Sequence, residues 1–402
     1  MAMSAGREPQ PIAAQRSLDE VEAPDAVRSA EQDLPKTFGP LPLPLPPATA
    51  LLRVHRRTHE GVERFYLELQ SDADLHRTAS PQDLGVQGPP DLALAEVMAR
   101  GSLRPAIAAL RSWSTTKLAL RQWITALRRR HGRELRLIVW DETNFQIPWE
   151  LFFHDTGDPA DRGWLGADFE VIRWTAVFTE IRPDWLTSVS SACNGQLLAF
   201  TDPTFPNPAA LLARYPHESF GSLDDLLHSL DDTARNVGVV FIWGHGIASS
   251  NGERSTLAGV SLDRLEVFKM RAMLNSRTLV LLNACGSGQL LNDDRFGEQG
   301  TRNFAEMFLR RGARGVIATS GQVDKADSYD FAWRLLSESE SEDLSVPGML
   351  LAHRTNLADA LPSDPSVKAT DEQLREFFNG FMYLYFGNPN TLLRMLPSGA
   401  DT

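Results

Sequence analysis

Two unbroken apolar runs organise the pattern of hydrophobic and polar positions along the chain. Val237-Gly-Val-Val-Phe-Ile-Trp243 and Thr278-Leu-Val-Leu-Leu-Asn283 are rich in aliphatic and aromatic side chains, and both stop abruptly at small residues. Runs of that length and composition predict strands buried on both faces. The first ends in Gly244-His245-Gly246, the second in Ala284-Cys285-Gly286. In an open parallel sheet, chemistry sits beyond the carboxyl ends of the strands, so His245 and Cys285 are expected to face one crevice.

Around these two runs, strands and helices alternate from about residue 195 onwards. Gln196–Phe200 predicts a strand that breaks at Thr201-Asp-Pro203, and Ser222 caps a helix reaching Asp231. Leu262–Met273 predicts a helix, Asn303 caps another with Phe304, Met307 and Phe308 on its core face, and Gly312 closes it. Gly315–Ser320 is the next strand and Ala326–Leu336 the next helix. Ser337–Asp343 then reads as an exposed acidic loop, Pro347–Ala360 as a helix and Phe381–Phe386 as a last strand. This alternation predicts a mostly parallel sheet with helices on both faces and right-handed crossovers.

Towards the N-terminus the pattern changes. Leu51–Arg57 and Val62–Leu69 alternate around His59-Glu-Gly61, a hairpin signal whose basic cluster Arg53, His55, Arg56 and Arg57 reads as a solvated face. Helical patterning follows over Pro90–Ala109 and Thr116–Arg130, the second with Leu120, Ile124 and Leu127 as its buried stripe and Gly132 as its stop. Strands are expected over Leu135–Trp140 and Phe169–Trp174. Residues 1–48 carry nine of the 25 prolines and end in Pro40-Leu-Pro-Leu-Pro-Leu-Pro-Pro47, which predicts a disordered spacer with polyproline II character. The chain therefore divides into that segment, an α/β region over 49–190 and a second α/β region over 195–396.

Composition narrows the function classes. A net charge of −12 and a pI near 5.3 argue against a nucleic-acid-binding module. With no apolar run of about 18 residues and no apolar leader, neither a membrane span nor a secretory signal is expected. Two cysteines, Cys193 and Cys285, make no disulfide framework, so a reducing cytoplasm is the expected setting. The basic residues are nearly all Arg, which hints at a GC-rich bacterial genome. The nine histidines are scattered and Cys193 has no cysteine neighbour, so no metal is expected. Gly286-Ser-Gly288 lacks the third glycine of a dinucleotide loop, since Leu291 stands there, and no cofactor is implied. Ser287 lacks the flanking glycines of a nucleophile elbow. What remains is a thiol and an imidazole at two strand ends, the parts of a cysteine nucleophile and its base.

Ile147-Pro-Trp-Glu150, Gly244-His-Gly246 and Asn283-Ala-Cys-Gly-Ser-Gly288 resemble the motifs of the CHAT family of caspase-like peptidases, relatives of separase and more distantly of caspases. Arg311–Ile317, Val323–Asp327 and Phe386–Pro389 fit the same pattern, so the resemblance runs from about Leu135 to Leu393. It departs from caspases at Asn283, where they have Gln, and at Ser287, where they have Gly. The resemblance implies a caspase-like three-layer fold and an inactive caspase-like half before the catalytic one. It implies Cys285 as nucleophile, His245 as its base, and the amides of Gly246 and Cys285 as oxyanion donors. The substrate would be a protein, with an activating or inhibitory protein partner, in regulated bacterial proteolysis such as defence or cell death. The segment Gly321–Asp327 resembles the separase-like turn whose Asp meets a basic residue before the scissile bond. That Asp falls on Asp324, with Asp327 the runner-up and neutral Asn283 beside the nucleophile; either Asp could equally cap the following helix. A catalytically silent scaffold of the same fold is the alternative from another class.

Overall fold

The computed structural model of the chain describes residues 45–59, 62–71, 77–78, 103–141, 148–155, 157–158, 161–174, 192–247, 255–289, 291–292, 301–362 and 368–399, all within one compact unit, Thr37–Thr402. The Pro-rich segment up to Pro44 and the start of the Pro90–Ala109 helix lie outside these residues.

One sheet of eleven strands runs through the molecule. In chain order its strands are β1 (Thr49–His59), β2 (Val62–Ser71), β3 (Arg77–Thr78), β4 (Arg136–Asp141), β5 (Glu170–Trp174), β6 (Gln196–Thr201), β7 (His217–Phe220), β8 (Val237–Gly244), β9 (Leu279–Ala284), β10 (Gly315–Thr319) and β11 (Tyr383–Gly387). In space the order is β3-β2-β1-β4-β5-β11-β10-β9-β8-β6-β7. β1, β4, β5 and β11 run parallel to one another, and so do β10, β9, β8, β6 and β7. The two parallel sets meet head to tail where β11 pairs antiparallel with β10. The sheet is thus mostly parallel, as the alternation of elements predicts, and the last strand is the seam between its halves.

The hairpin expected near the N-terminus is β1–β2, in register from Ala50↔Ser71 to His59↔Val62. The central strands are buried along their whole length, and successive side chains feed opposite faces. From β8, Val240 and Ile242 join one core with the helices α3 (Leu223–Ser229), α4 (Leu262–Val267) and α5 (Phe304–Arg310). Val239, Phe241 and Trp243 join the other, with α6 (Lys325–Glu338) and α7 (Val346–Asp359). Burial on both sides explains why these strands read as continuous apolar runs. At the N-terminal side the helices are α1 (Leu103–Thr115) and α2 (Leu118–His131); α2 places Leu120, Ile124 and Leu127 in the core, and Gly132 ends it at φ 59°, a left-handed conformation suited to glycine. Ser222 and Asn303 cap α3 and α5 as expected, each side chain accepting the backbone N–H three residues on.

Four local expectations are corrected. The helix expected over Leu262–Met273 is two short ones, Leu262–Val267 and Ala272–Asn275, because Met270 takes φ 47° between them while its amide donates to Asp231 Oδ1 at 2.7 Å. The Ser337–Asp343 loop is partly ordered: α6 extends to Glu338, Ser339 is buried, and Glu340 accepts from Tyr215 and Arg214. The last strand begins only at Tyr383, since Phe381 and Met382 end a helix, α8 (Asp371–Met382), that sequence patterning did not reveal. Finally, the helix expected to end at Ala109 is described from Leu103 and runs on to Thr115. No described helix is long and apolar enough to cross a membrane.

Candidate active site

β8 and β9 are neighbours in parallel register, with Gly244 opposite Ala284. His245 and Cys285 are therefore the first residues beyond the paired ends of adjacent strands, which lie about 4.8 Å apart in a sheet. The contact is closer still one residue on. A Cβ added to Gly246 would stand 2.2 Å from the carbonyl oxygen of Cys285, so only a residue without a side chain lets the histidine loop lie against the cysteine loop. Cys285 is half-buried and His245 exposed.

The cysteine loop is fixed by hydrogen bonds to the end of β10. Gly286 takes φ 67° and its amide donates to Gly321 O at 3.1 Å; the Gly288 amide donates to Thr319 O at 2.8 Å. Ser287, fully buried, donates from its hydroxyl to Leu282 O and accepts from the Thr319 amide. Thr319 in turn donates from Oγ1 to Ala284 O at 2.6 Å. Asn283 is buried too, and its amide donates to Ser328 O of α6 at 2.8 Å, clasping that helix to the nucleophile's strand.

On the other side, the break after β6 brings up Asp202, Thr204 and Phe205. Thr204 Oγ1 lies 3.1 Å from His245 Nε2 and 2.7 Å from Asp202 Oδ1. The Phe205 ring meets the imidazole edge to face at 4.8 Å, and Lys325 stands over that ring at 4.0 Å while donating to Thr204 O at 2.9 Å.

The two candidate selector carboxylates part company. Asp324 is exposed at the N-cap of α6, its Oδ1 accepting from the Ala326 amide at 2.8 Å. Asp327, one turn on, lines a cavity of about 190 Å³ with Asp330, Arg334, His353, Glu376, Asn379 and Tyr383. Burial pushes the Asp327 carboxyl up; the bond from Asn379 Nδ2 counters this, and Asp324 and Asp330 add to it. Burial, with Arg334 and Arg354, brings His353 down to about 4, so it is neutral near pH 7. Tyr383 is fully buried, stacked on Phe331 at 3.8 Å, and its phenol is raised well above its ordinary value by burial, then by Asp327 and Cys285. The same hydroxyl therefore feels both the cavity carboxylate and the candidate nucleophile. Its oxygen has no hydrogen-bond partner among the described residues, and neither has Asn379 Oδ1.

The Pro148-Trp-Glu150 stretch is linked to Tyr383 through a buried arginine, Arg354. Glu150, 1% exposed, takes Arg173 Nε at 2.9 Å on one oxygen and Arg173 Nη2 on the other. Arg354, also 1% exposed, donates to Tyr383 O. Burial brings its guanidinium down to about 10, with Glu150 opposing and Arg173 adding to the fall. Ile147 lies outside the described residues.

Cys193 is of another kind. It is fully buried and forms an isolated bridge with Leu393, and burial pushes its thiol up to about 12. An alkylating reagent near pH 7 should therefore modify one cysteine per native chain, Cys285, and a second only after unfolding, because the thiolate is the reacting form. Peptide mapping by mass spectrometry checks this; labelling of Cys193 in the native protein would show the core to be open.

Sequence reasoning found the strand-end pair but not Thr204, Tyr383, Asn379 or Arg354. The one signal for Thr204 was the strand break at Thr201-Asp-Pro203.

The fold is that of an α/β protein with a mostly parallel sheet, with a thiol and an imidazole just beyond two adjacent parallel strand ends. The chain belongs to the CHAT domain family of caspase-like peptidases: the family model matches residues 104–345, more than half of its length. Among solved structures it is similar to the separase chain of two Saccharomyces cerevisiae separase–securin complexes, determined at 2.6 and 3.0 Å. The TM-scores are 0.40 and 0.39 and the identities 13% and 14%, over 65% of this chain. The aligned part spans only 16% and 15% of the separase chains. No curated protein matches the chain.

Proposed function

We propose that the protein is a cysteine endopeptidase that cleaves a specific protein substrate by a Cys285–His245 mechanism. The observation that carries this reading is the register of β8 and β9, with Gly244 opposite Ala284 and Gly246 against the Cys285 carbonyl. A free thiol is only a few per cent ionised near neutrality, and an adjacent imidazole takes its proton as the sulfur attacks the scissile carbonyl. The imidazolium then returns that proton to the leaving amine, and water releases the acyl group. The amides of Gly246 and Cys285 are our assignment for the oxyanion donors. In this reading residues 195–396 form the catalytic half and 49–190 its non-catalytic counterpart. The setting we assign is regulated proteolysis in a bacterial cytoplasm, in defence or cell death, under an activating or inhibitory protein. A scaffold without activity has no observation in its favour that the peptidase reading lacks.

Cleavage after a basic residue is part of the proposal, and Asp327 rather than Asp324 is the selector we assign. Supporting this, Asp327 shares its cavity with two further carboxylates, one arginine and a neutral histidine, so negative charge prevails. The unpartnered Tyr383 and Asn379 oxygens are acceptors, and a guanidinium is a donor only. Arg334, the arginine in the lining, donates to Glu338 at 2.8 Å, and Arg375 acts on the Asp327 carboxyl from outside the lining. Losing one charge-assisted pair costs about 1.5–3 kcal/mol, roughly 10- to 100-fold in kcat/KM. Peptide-library profiling should show wild-type preference for Arg or Lys before the cut, a loss of that size in Asp327→Asn, and near wild-type selectivity in Asp324→Asn. Because the Asp327 carboxyl is raised, the preference should also fade as pH falls through its pKa, before ordinary carboxylates titrate. A preference for acidic or apolar residues would sink the basic specificity while leaving the peptidase reading standing.

A further inference from the structure

The imidazole of His245 stands at a strand end with one face open to solvent, and a base in that position needs something to fix its ring and tautomer. The structure supplies a built contact from the loop after β6. Thr204 Oγ1 is 2.7 Å from Asp202 Oδ1 and the Thr204 amide donates to the same oxygen at 2.9 Å. An ionised carboxylate only accepts, so the hydroxyl proton lies towards Asp202. The Thr204 oxygen then has only lone pairs to offer His245 Nε2, at 3.1 Å. That nitrogen must carry the ring proton, which leaves Nδ1 as the basic nitrogen.

We propose that Asp202 and Thr204 are positioning residues for His245, a carboxylate–hydroxyl relay that holds the imidazole in its Nε2–H tautomer and stabilises the imidazolium. The proposal rests on the peptidase reading for its catalytic consequence, but not for its geometry. In acylation the Cys285 S–H proton passes to Nδ1 as the sulfur–carbon bond forms. The charge so created spreads through Nε2–H to Thr204 and Asp202. As the carbon–nitrogen bond breaks, the Nδ1 proton leaves with the amine, and the ring is neutral again.

Two further contacts hold the relay in place. The Phe205 ring packs edge to face on the imidazole at 4.8 Å, with its amide tied back to Asp202 O at 2.9 Å. Lys325, at the start of α6, donates to the Thr204 carbonyl at 2.9 Å from the opposite side. The titratable and charged groups around His245 among the described residues are thus Asp202 from the β6 loop, Lys325 from α6 and Cys285 from β9. Of these, Lys325 is a cation and Asp202 a carboxylate on which both Lys325 and His245 act. Burial pushes the Asp202 carboxyl up, but the bonds from Thr204 and the charges of His245 and Lys325 together hold it below the ordinary carboxylate range. It is therefore ionised near neutral pH.

Thr204 is exposed, so Thr204→Val removes the hydroxyl at constant shape without touching the core. The test is nitrogen-15 NMR of the full chain labelled in histidine, with the His245 signals identified by their absence in His245→Gln. Wild type should show Nε2 as the protonated nitrogen near neutral pH. Thr204→Val and Asp202→Asn should each raise the Nδ1–H population and lower the imidazolium pKa, and Thr204→Ser should restore both. With a peptide substrate, the same variants should lower kcat more than KM and move the acid limb of the pH profile down with the imidazole. An unchanged tautomer and pKa in Thr204→Val overturn the relay, whatever the activity. If wild type cleaves no peptide and yet the tautomer responds as described, the peptidase reading fails and the positioning role stands.

Discussion

Cys285→Ala and His245→Ala are each expected to abolish peptide hydrolysis, by on the order of 10⁴-fold or more, without loss of fold. Nucleophile and base act as one unit, so removing either leaves only the binding and oxyanion contributions. Neither side chain supports the core: His245 is exposed, Cys285 only half-buried, and the cysteine loop is held instead by Ser287, Thr319 and the Gly286 and Gly288 amides. Circular dichroism and thermal unfolding should therefore match wild type while turnover disappears. Cys193→Ala should keep turnover, since its thiol lies in the core. A Cys285→Ala protein that retained most of its turnover would remove the proposed nucleophile from the account.

The second large effect belongs to stability. Glu150→Ala is expected to cost about 3–5 kcal/mol, the usual consequence of leaving buried charge without its partner. Glu150 takes Arg173 on both oxygens and is the carboxylate that acts on fully buried Arg354, so its removal takes an anion from beside two buried guanidinium groups. Chemical denaturation of wild type and variant measures the loss. Gly166 bears on the same site: a Cβ there would meet Glu150 Cβ at 2.9 Å and Arg354 Cδ at 3.1 Å, so the chain at Gly166 lies directly against both. Since Arg354 also holds the Tyr383 carbonyl, the surviving folded fraction should show weakened selection before the cut. A Glu150→Ala protein as stable as wild type would mean that the buried arginines find water or another anion.

The parts of this architecture that sequence could reveal are those set by local pattern. β8 and β9 are apolar on both faces because each lies mid-sheet between two helical layers, and such burial writes itself as an unbroken run. Their small-residue endings mark where the chain turns out of the sheet, which is why the sequence alone pairs His245 with Cys285. The α8 helix was missed although Thr370 and Gln373 form a capping box, because Phe377, Phe378 and Phe381 obscure its polar face and Gly380 interrupts its pattern. Gly380 is itself explained by packing: a Cβ there would stand 2.0 Å from Leu357 Cδ1.

What pattern could not reveal depends on contacts distant in sequence. Thr204 lies 41 residues from the histidine it touches, and Arg354 lies 29 from the carbonyl it holds. Asp324 and Asp327 are equally plausible at the head of a helix by sequence alone. Only the fold separates the cap, satisfied by its own backbone, from the carboxylate turned into a cavity. Met270 is a similar case, since its left-handed backbone follows from the hold of Asp231 on its amide and leaves no trace in the hydrophobic period.

Trapping the thiol with substrate-shaped reagents decides whether Cys285, served by His245 at the ends of paired strands, is the nucleophile. The measurement is intact-mass and peptide-mapping mass spectrometry after incubation with a set of peptidyl acyloxymethyl ketones ending in Arg, Leu or Asp. One adduct per chain is expected, located on Cys285, strongly slowed in His245→Ala and absent in Cys285→Ala. An adduct on Cys193, or a folded wild-type chain that stays unmodified while reagents lacking the peptide still alkylate Cys285, would contradict it.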